Sequence, residues 1–246
     1  MRLAMAQMKM SKSPKENFEK TKNFIKDSRD CDLIFFPEVQ LSPFFAQYRA
    51  DNTPYNVKDY ITPSNAEEIK IISSLAKENS LFVSPNFYFK DDDGKLYDTS
   101  FFIDKNAKIT GKSKMVNVDN NQYFYEKDYY TPSDGGFNVF NTPFGRIGII
   151  ICYDRHFEES FKICAGKEAD LIIIPTANTL EEDMDFFEEE IITAAEKNNV
   201  NIAMCNRVGK EGDMTFAGQS LIVSREGKVL LKSDENERLI KFSLDL

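Results

Sequence analysis

Apolar and polar positions along this chain fall into two periods, and the places where one period gives way to the other mark the elements. Residues 3–8 alternate as a strand. Ser13-Pro14-Lys15-Glu16 is then a capping box with proline at the first helical position, and Phe18, Thr21, Lys22 and Ile25 recur at helical spacing, which predicts a helix over 14–28. Asp32-Leu33-Ile34-Phe35-Phe36 is a short buried strand that stops at Pro37, a residue unable to donate to a ladder. Ser64-Asn65-Ala66-Glu67 reads as a second capping box, opening a helix with Ile69, Ile72, Leu75 and Ala76 inward. Residues 81–85 predict a strand, and 87–109 predict strands broken by turns at 91–94 and 105–107.

The second half is dominated by one run, Phe144-Gly145-Arg146-Ile147-Gly148-Ile149-Ile150-Ile151-Cys152-Tyr153-Asp154-Arg155-His156. A short run this apolar suits a strand buried on both faces, with a helix over 158–165 after it. Residues 170–175 predict another buried strand, and 181–198 an acidic amphipathic helix with Met184, Phe187, Ile191, Ala194 and Ala195 on one stripe. Strands are predicted over 200–205, 220–223, 229–231 and 239–244, with Gly227 at a hairpin. Sheet–helix units interleaved with a meander give a mixed, layered α/β architecture, read as a single domain over 1–246.

Charge and composition narrow the classes. The 246 residues carry a net charge of −9, a poor match to nucleic acid or anionic membrane, and no apolar run approaches the roughly 20 residues of a membrane span. The N-terminal apolar stretch is too short for a signal peptide. Cys31, Cys152, Cys164 and Cys205 lack CxxC spacing, which predicts reduced thiols and a cytoplasmic protein. A single histidine excludes a His-rich metal site, and neither metal nor cofactor is expected.

Chemistry concentrates at strand ends. Cys152 closes the apolar run where a sharp turn could lift a nucleophile off the sheet, with N–H groups of the following helix aimed at it. Taken alone, inert packing is the commoner fate of such a cysteine. Glu38 follows the strand that ends at Pro37, the same kind of position. Lys112 and Lys114 stand two apart and share a face if that segment is extended. Glu126 lies among aromatic rings, and Asn178 in the loop after the next strand.

Together these pieces resemble the nitrilase superfamily of carbon–nitrogen hydrolases over essentially the whole chain. The resemblance rests on Phe36-Pro37-Glu38, the segment ending in Lys114, Tyr123-Phe124-Tyr125-Glu126-Lys127 with Thr131-Pro132, Ile151-Cys152-Tyr153-Asp154, Asn206-Arg207-Val208-Gly209 and Phe216-Ala217-Gly218-Gln219-Ser220. It implies a four-layer α-β-β-α sandwich, assembled into homodimers or larger oligomers through the helices after Cys152 and over 181–198. Glu-Lys-Cys catalysis follows from it: Cys152 attacks a small amide, Glu38 moves the proton, Lys114 holds the oxyanion, and Glu126 steadies the lysine or the substrate nitrogen. Lys112 competes with Lys114 on spacing. The chain departs from the family pattern in having Val116 and Asn117 where a histidine is usual, and Glu158 where a proline is common.

Within the family the motifs are most similar to the N-carbamoyl amidases, acting on N-carbamoyl amino acids or N-carbamoyl amines. Arg155, three residues after the nucleophile, is then expected to grip a substrate carboxylate or else to pair with Asp154, Glu158 or Glu159, and Tyr153 and Asn178 are further candidate substrate contacts. An ω-amidase of the same chemistry and a catalytically idle interaction subunit are the rivals. His156 as a base is disfavoured, because residues four apart across a turn rarely meet in line.

Overall fold

The alternation of inward and outward side chains along buried strands forces each sheet to be covered on both faces, and the computed structural model, which describes residues 1–246, meets that demand with four layers. One sheet runs in the order Arg238–Ser243, Arg2–Gln7, Leu33–Phe35, Phe82–Ser84, Leu96–Ile103, Asn86–Lys90, Thr62–Pro63, with Ile109–Lys114 also paired to Leu96–Ile103. The other runs Val229–Lys232, Leu221–Val223, Asn201–Asn206, Leu171–Thr176, Gly145–Ile149, Asn138–Thr142. Both are parallel at the centre with antiparallel strands flanking it, and at one end of the first sheet Thr62–Pro63 pairs parallel with Asn86–Lys90.

The strand parity sorts the core. Leu3, Met5, Leu33 and Phe35 face Ile147, Ile149, Leu171 and Ile173 between the sheets. Ala4, Ala6, Ile34 and Val83 point the other way, onto helices α1 (Pro14–Asp27) and α2 (Glu67–Glu78). On the far side, Ile172, Ile174, Ile202 and Met204 meet α3 (Glu158–Gly166) and α4 (Met184–Asn198). This is the expected α-β-β-α sandwich. All four cysteines are free and buried.

Four local expectations are corrected. Ser13 caps α1 through Glu16 N as predicted, but α2 begins after Ala66 with no side-chain cap. Thr62–Pro63 pairs with Phe89 and Lys90, and the turn from Pro63 to Ala66 leaves Ser64 outside the helix start. The isoleucine strand ends at Ile149, and a 3-10 turn over Cys152–His156 precedes α3, so the N-terminus of α3 does not abut the cysteine. Helix α4 starts at Met184, capped by the Asp183 carboxylate on Phe186 N, rather than at Glu181. A two-stranded ribbon, Val208–Glu211 with Met214–Ala217, was not predicted.

Candidate active site

Parallel strands leave their C-terminal ends open at one edge, and the chemistry-bearing residues gather there. Glu38 follows Leu33–Phe35, Cys152 follows Gly145–Ile149, and Thr176 and Asn178 end and follow Leu171–Thr176. Cys152 sits at φ +40°, a left-handed conformation that L residues with a Cβ adopt at a cost of order 1–3 kcal/mol and that tends to mark functional turns. Val39, directly after Glu38, has the same φ.

Glu38, Glu126 and Asp98 are all fully buried, and each has a carboxyl oxygen without a hydrogen-bond partner. Asp98 was not singled out from sequence. It lies beside Glu38, held by Asn86 Nδ2 at 2.6 Å, and the same Asn86 accepts from Val39 N at 2.6 Å. Burial, then the Asp98 and Glu126 carboxyls, push the Glu38 pKa far above the usual carboxylate range. The Cys152 thiol is near enough to pull it back, without the alignment of a formed hydrogen bond. Burial raises Asp98 to about 6 and Glu126 to about 8, the latter despite the hydrogen bond it accepts from Asp119 N at 2.9 Å.

Around the thiol the contacts are polar. Thr176 Oγ1 lies 3.3 Å from Cys152 Sγ and 2.9 Å from Asn178 Oδ1. Arg155 Nη1 lies 3.8 Å from Sγ and donates to Thr176 Oγ1 and to the Cys152 carbonyl, each at 3.1 Å. Burial raises the thiol pKa well above its ordinary value and the Glu38 charge adds to it, while Arg155 and Thr176 act in the opposite sense. Thr176 could have been found by the rule that found Cys152, since it is a polar residue closing an isoleucine-rich strand.

These groups open into a pocket of about 260 Å³ lined by Glu126, Cys152, Tyr153, Arg155 and Asn178, with Asp119 and Glu182 in its wall. Five of the six other residues expected at the site therefore meet around Cys152, Glu38 beside the thiol and the other four in the pocket lining. The sixth does not. Lys114 points to the opposite face of its sheet, where its ammonium pairs with Asp91 at 2.5 Å and lies 3.7 Å from the centre of the Tyr97 ring. Lys112 reaches the same Asp91. The two lysines do share a face, as their spacing predicts, but it is the outer one. The ladder pairs Thr99 with Lys114 and Ser100 with Ser113, which turns the odd-numbered positions inward: a Cβ on Gly111 would come within 2.5 Å of Phe140 in the second sheet, and Met115 joins the apolar cluster that includes Cys152.

Arg155 is also placed differently from expectation. It lines the pocket, yet its partner is Glu190, 3.4 Å from Nε, and its guanidinium stacks 4.4 Å from the Phe187 ring centre. Asp154 is instead engaged by Val116 N and Asn117 N, which fixes the turn after the nucleophile.

A fold of two stacked sheets with a buried cysteine and two carboxyls at their shared edge is the architecture of an amide-cleaving enzyme, and the sequence comparisons agree. The carbon–nitrogen hydrolase family pattern matches residues 2–246, and the chain belongs to that family, within the nitrilase superfamily, whose members hydrolyse amide C–N bonds through an active-site cysteine. It is 26% identical to human omega-amidase NIT2 over all of this chain and 88% of the relative. It is 25% identical to the N-carbamoylputrescine amidase of Arabidopsis thaliana, over 89% of this chain and 78% of that one. A crystal structure of a carbon–nitrogen hydrolase from Helicobacter pylori G27 superposes with a TM-score of 0.89 at 25% identity, covering 98% of this chain and 88% of the other.

Proposed function

We propose that Cys152 is the nucleophile and Glu38 the proton carrier of an amidase acting on short linear amides, and that its preferred substrates are N-carbamoyl compounds with an uncharged or cationic tail. The observation that carries the chemistry is the meeting of Cys152, Glu38 and Glu126, the first and last of which line one small pocket. Glu38, in the ionised form that its raised pKa makes strongly basic, takes the Cys152 proton as sulfur bonds to the carbonyl carbon and the C=O electron pair moves to oxygen. Collapse of this intermediate breaks the C–N bond, and the nitrogen leaves with the proton from Glu38. Water then gives a proton to Glu38 and its oxygen to the acyl carbon, and collapse of the second tetrahedral adduct returns the thiol. The first N–H groups of the 3-10 turn at Cys152 have no partner within the turn and are suited to meet the oxyanion. Glu126, held protonated by burial near neutral pH, can donate to the substrate.

A pocket of about 260 Å³ is small for a ligand site and suits a chain of a few heavy atoms. Its wall carries acidic residues. Asp119 and Glu182 line it, and the one guanidinium there is already shared with Glu190 and Thr176, which disfavours a substrate carboxylate and favours a neutral or cationic group. Similarity to the omega-amidase supports a second reading, in which the substrate is a simple ω-amide. Ammonia and carbon dioxide release should be measured across N-carbamoylputrescine, N-carbamoyl-β-alanine and an ω-amide of similar length. The proposal expects carbon dioxide with the ammonia, and the amine ahead of the acid; ammonia alone would favour the second reading. Cys152→Ala should abolish turnover with the fold intact, and full activity in that protein would end the nucleophile assignment.

A further inference from the structure

The centre holds three fully buried carboxyl groups, on Glu38, Asp98 and Glu126, and no lysine faces them. Moving Lys114 inward would require a one-residue slip of Ile109–Lys114 against Leu96–Ile103. Such a slip would also turn Met115 out of the apolar cluster and bring the outward Lys112 to face the Phe140 ring. The ammonium is therefore fixed on the far side of the sheet.

One cation does reach the reacting atom. Arg155 is 3% exposed and is held in place from four directions: by the Cys152 carbonyl, by Thr176 Oγ1, by Glu190 near Nε and by the Phe187 ring. In this setting Nη1 stands 3.8 Å from Sγ. Nη1 is thus engaged by the protein itself and stands toward the sulfur, while Nε faces the Glu190 carboxylate.

We propose that Arg155 is a catalytic residue, the counter-cation of the Cys152 thiolate, and that this centre works by a carboxyl–arginine–cysteine arrangement in place of one built on a lysine. The inference rests on Cys152 being the nucleophile. When the thiol proton moves to Glu38, the negative charge left on sulfur is buried near the Glu126 carboxyl, and the guanidinium is the cation that opposes it, helped by the Thr176 hydroxyl. Thr176 positions that guanidinium and the sulfur together. Glu190 sets how much of the positive charge is left over, with His156 hydrogen-bonded to its other oxygen at 2.8 Å and Glu182 lying on the pocket side. An opposite charge at this distance moves an ionisation by about one to three pH units.

The rate of Cys152 alkylation by iodoacetamide as a function of pH reads this directly in the full-length protein, with Cys152→Ala as the background. Arg155→Met should move the alkylation profile up by about one pH unit or more and lower kcat on the order of 10²-fold, with KM for an uncharged amide little changed. Arg155→Lys should recover part of both. If Arg155→Met proves unfolded by circular dichroism, Arg155→Gln and Arg155→Lys give the same comparison between a neutral and a charged side chain. An unchanged profile in the neutral variants, or a loss confined to KM for carboxylate-bearing substrates, would overturn the proposal. So would a Lys114→Met protein that lost thiolate reactivity while Arg155→Met kept it. The two readings fail separately: an active Cys152→Ala protein removes the nucleophile assignment, whereas an inactive one beside an unshifted Arg155→Met profile removes only the arginine.

Discussion

At the scale of single residues, the distinctive property of this centre is that its carboxyls are driven toward the neutral form. The ordinary glutamate pKa is 4.5, and burial lifts Glu126 to about 8. Between these values the unfolded chain has lost the proton while the native protein keeps it, so the native state binds more protons and stability falls as pH rises. Below about 4.5 the full contribution is present, and above about 8 it is gone. Glu126→Gln removes this titration while leaving an oxygen to accept from Asp119 N. The variant should therefore show a shallower decline of stability between pH 6 and 8, by up to about 1.4 kcal/mol per pH unit. Denaturant midpoints measured across that range check it, and parallel slopes for the two proteins would show that Glu126 ionises normally. Glu38 contributes to the same slope in both proteins, and Asp98 does so mainly below about 6.

At the scale of elements, much of the site could be read from the chain because Glu38, Cys152 and Asn178 each sit just past the end of a short apolar run. Position after a strand is a local property. The face of a strand on which a side chain lies is not: spacing says that Lys112 and Lys114 share a face, and only the pairing of Thr99 with Lys114 says which. Asp98 escaped for a related reason, since within a strand of mixed residues nothing local marks it as neighbour to Glu38. Helix starts show the same limit. Ser13 and Ser64 open equivalent motifs, yet only Ser13 Oγ accepts from the N–H three residues on, because strand pairing at Thr62–Pro63 claims the approach to α2. Ser13→Ala should accordingly cost about 1 kcal/mol of stability and Ser64→Ala a few tenths at most. Chemical denaturation of the two variants decides this, and equal losses would mean that Ser64 caps after all.

At the scale of the whole molecule, the catalytic geometry depends on holding the edge of one sheet against the edge of the other. The loop carrying Glu38 belongs to the first sheet, and Cys152 to the second. Arg207, fully buried, spans them: Nη1 donates to the Glu38 carbonyl at 3.3 Å, Nη2 donates to the Ser42 carbonyl at 2.7 Å, and the guanidinium pairs with Glu211, whose carboxylate also accepts from Phe44 N. Burial pushes the Glu211 pKa up, and the Arg207 guanidinium and the Phe44 N–H oppose it, both favouring the charged form. Deleting the arginine alone leaves a buried carboxylate facing apolar rings, a change that typically costs 3–5 kcal/mol, whereas replacing both partners by neutral groups costs less. Arg207→Met should therefore be more destabilised than Arg207→Met/Glu211→Gln, by about 1 kcal/mol or more. Both should lose kcat through the freed Glu38 loop, since each lacks the bond to the Glu38 carbonyl. Urea midpoints and kcat measured on the two proteins separate these effects. Restored stability without restored turnover is the expected result, because charge balance at Glu211 governs the fold, while the clamp on the Glu38 backbone governs where the proton carrier stands relative to sulfur.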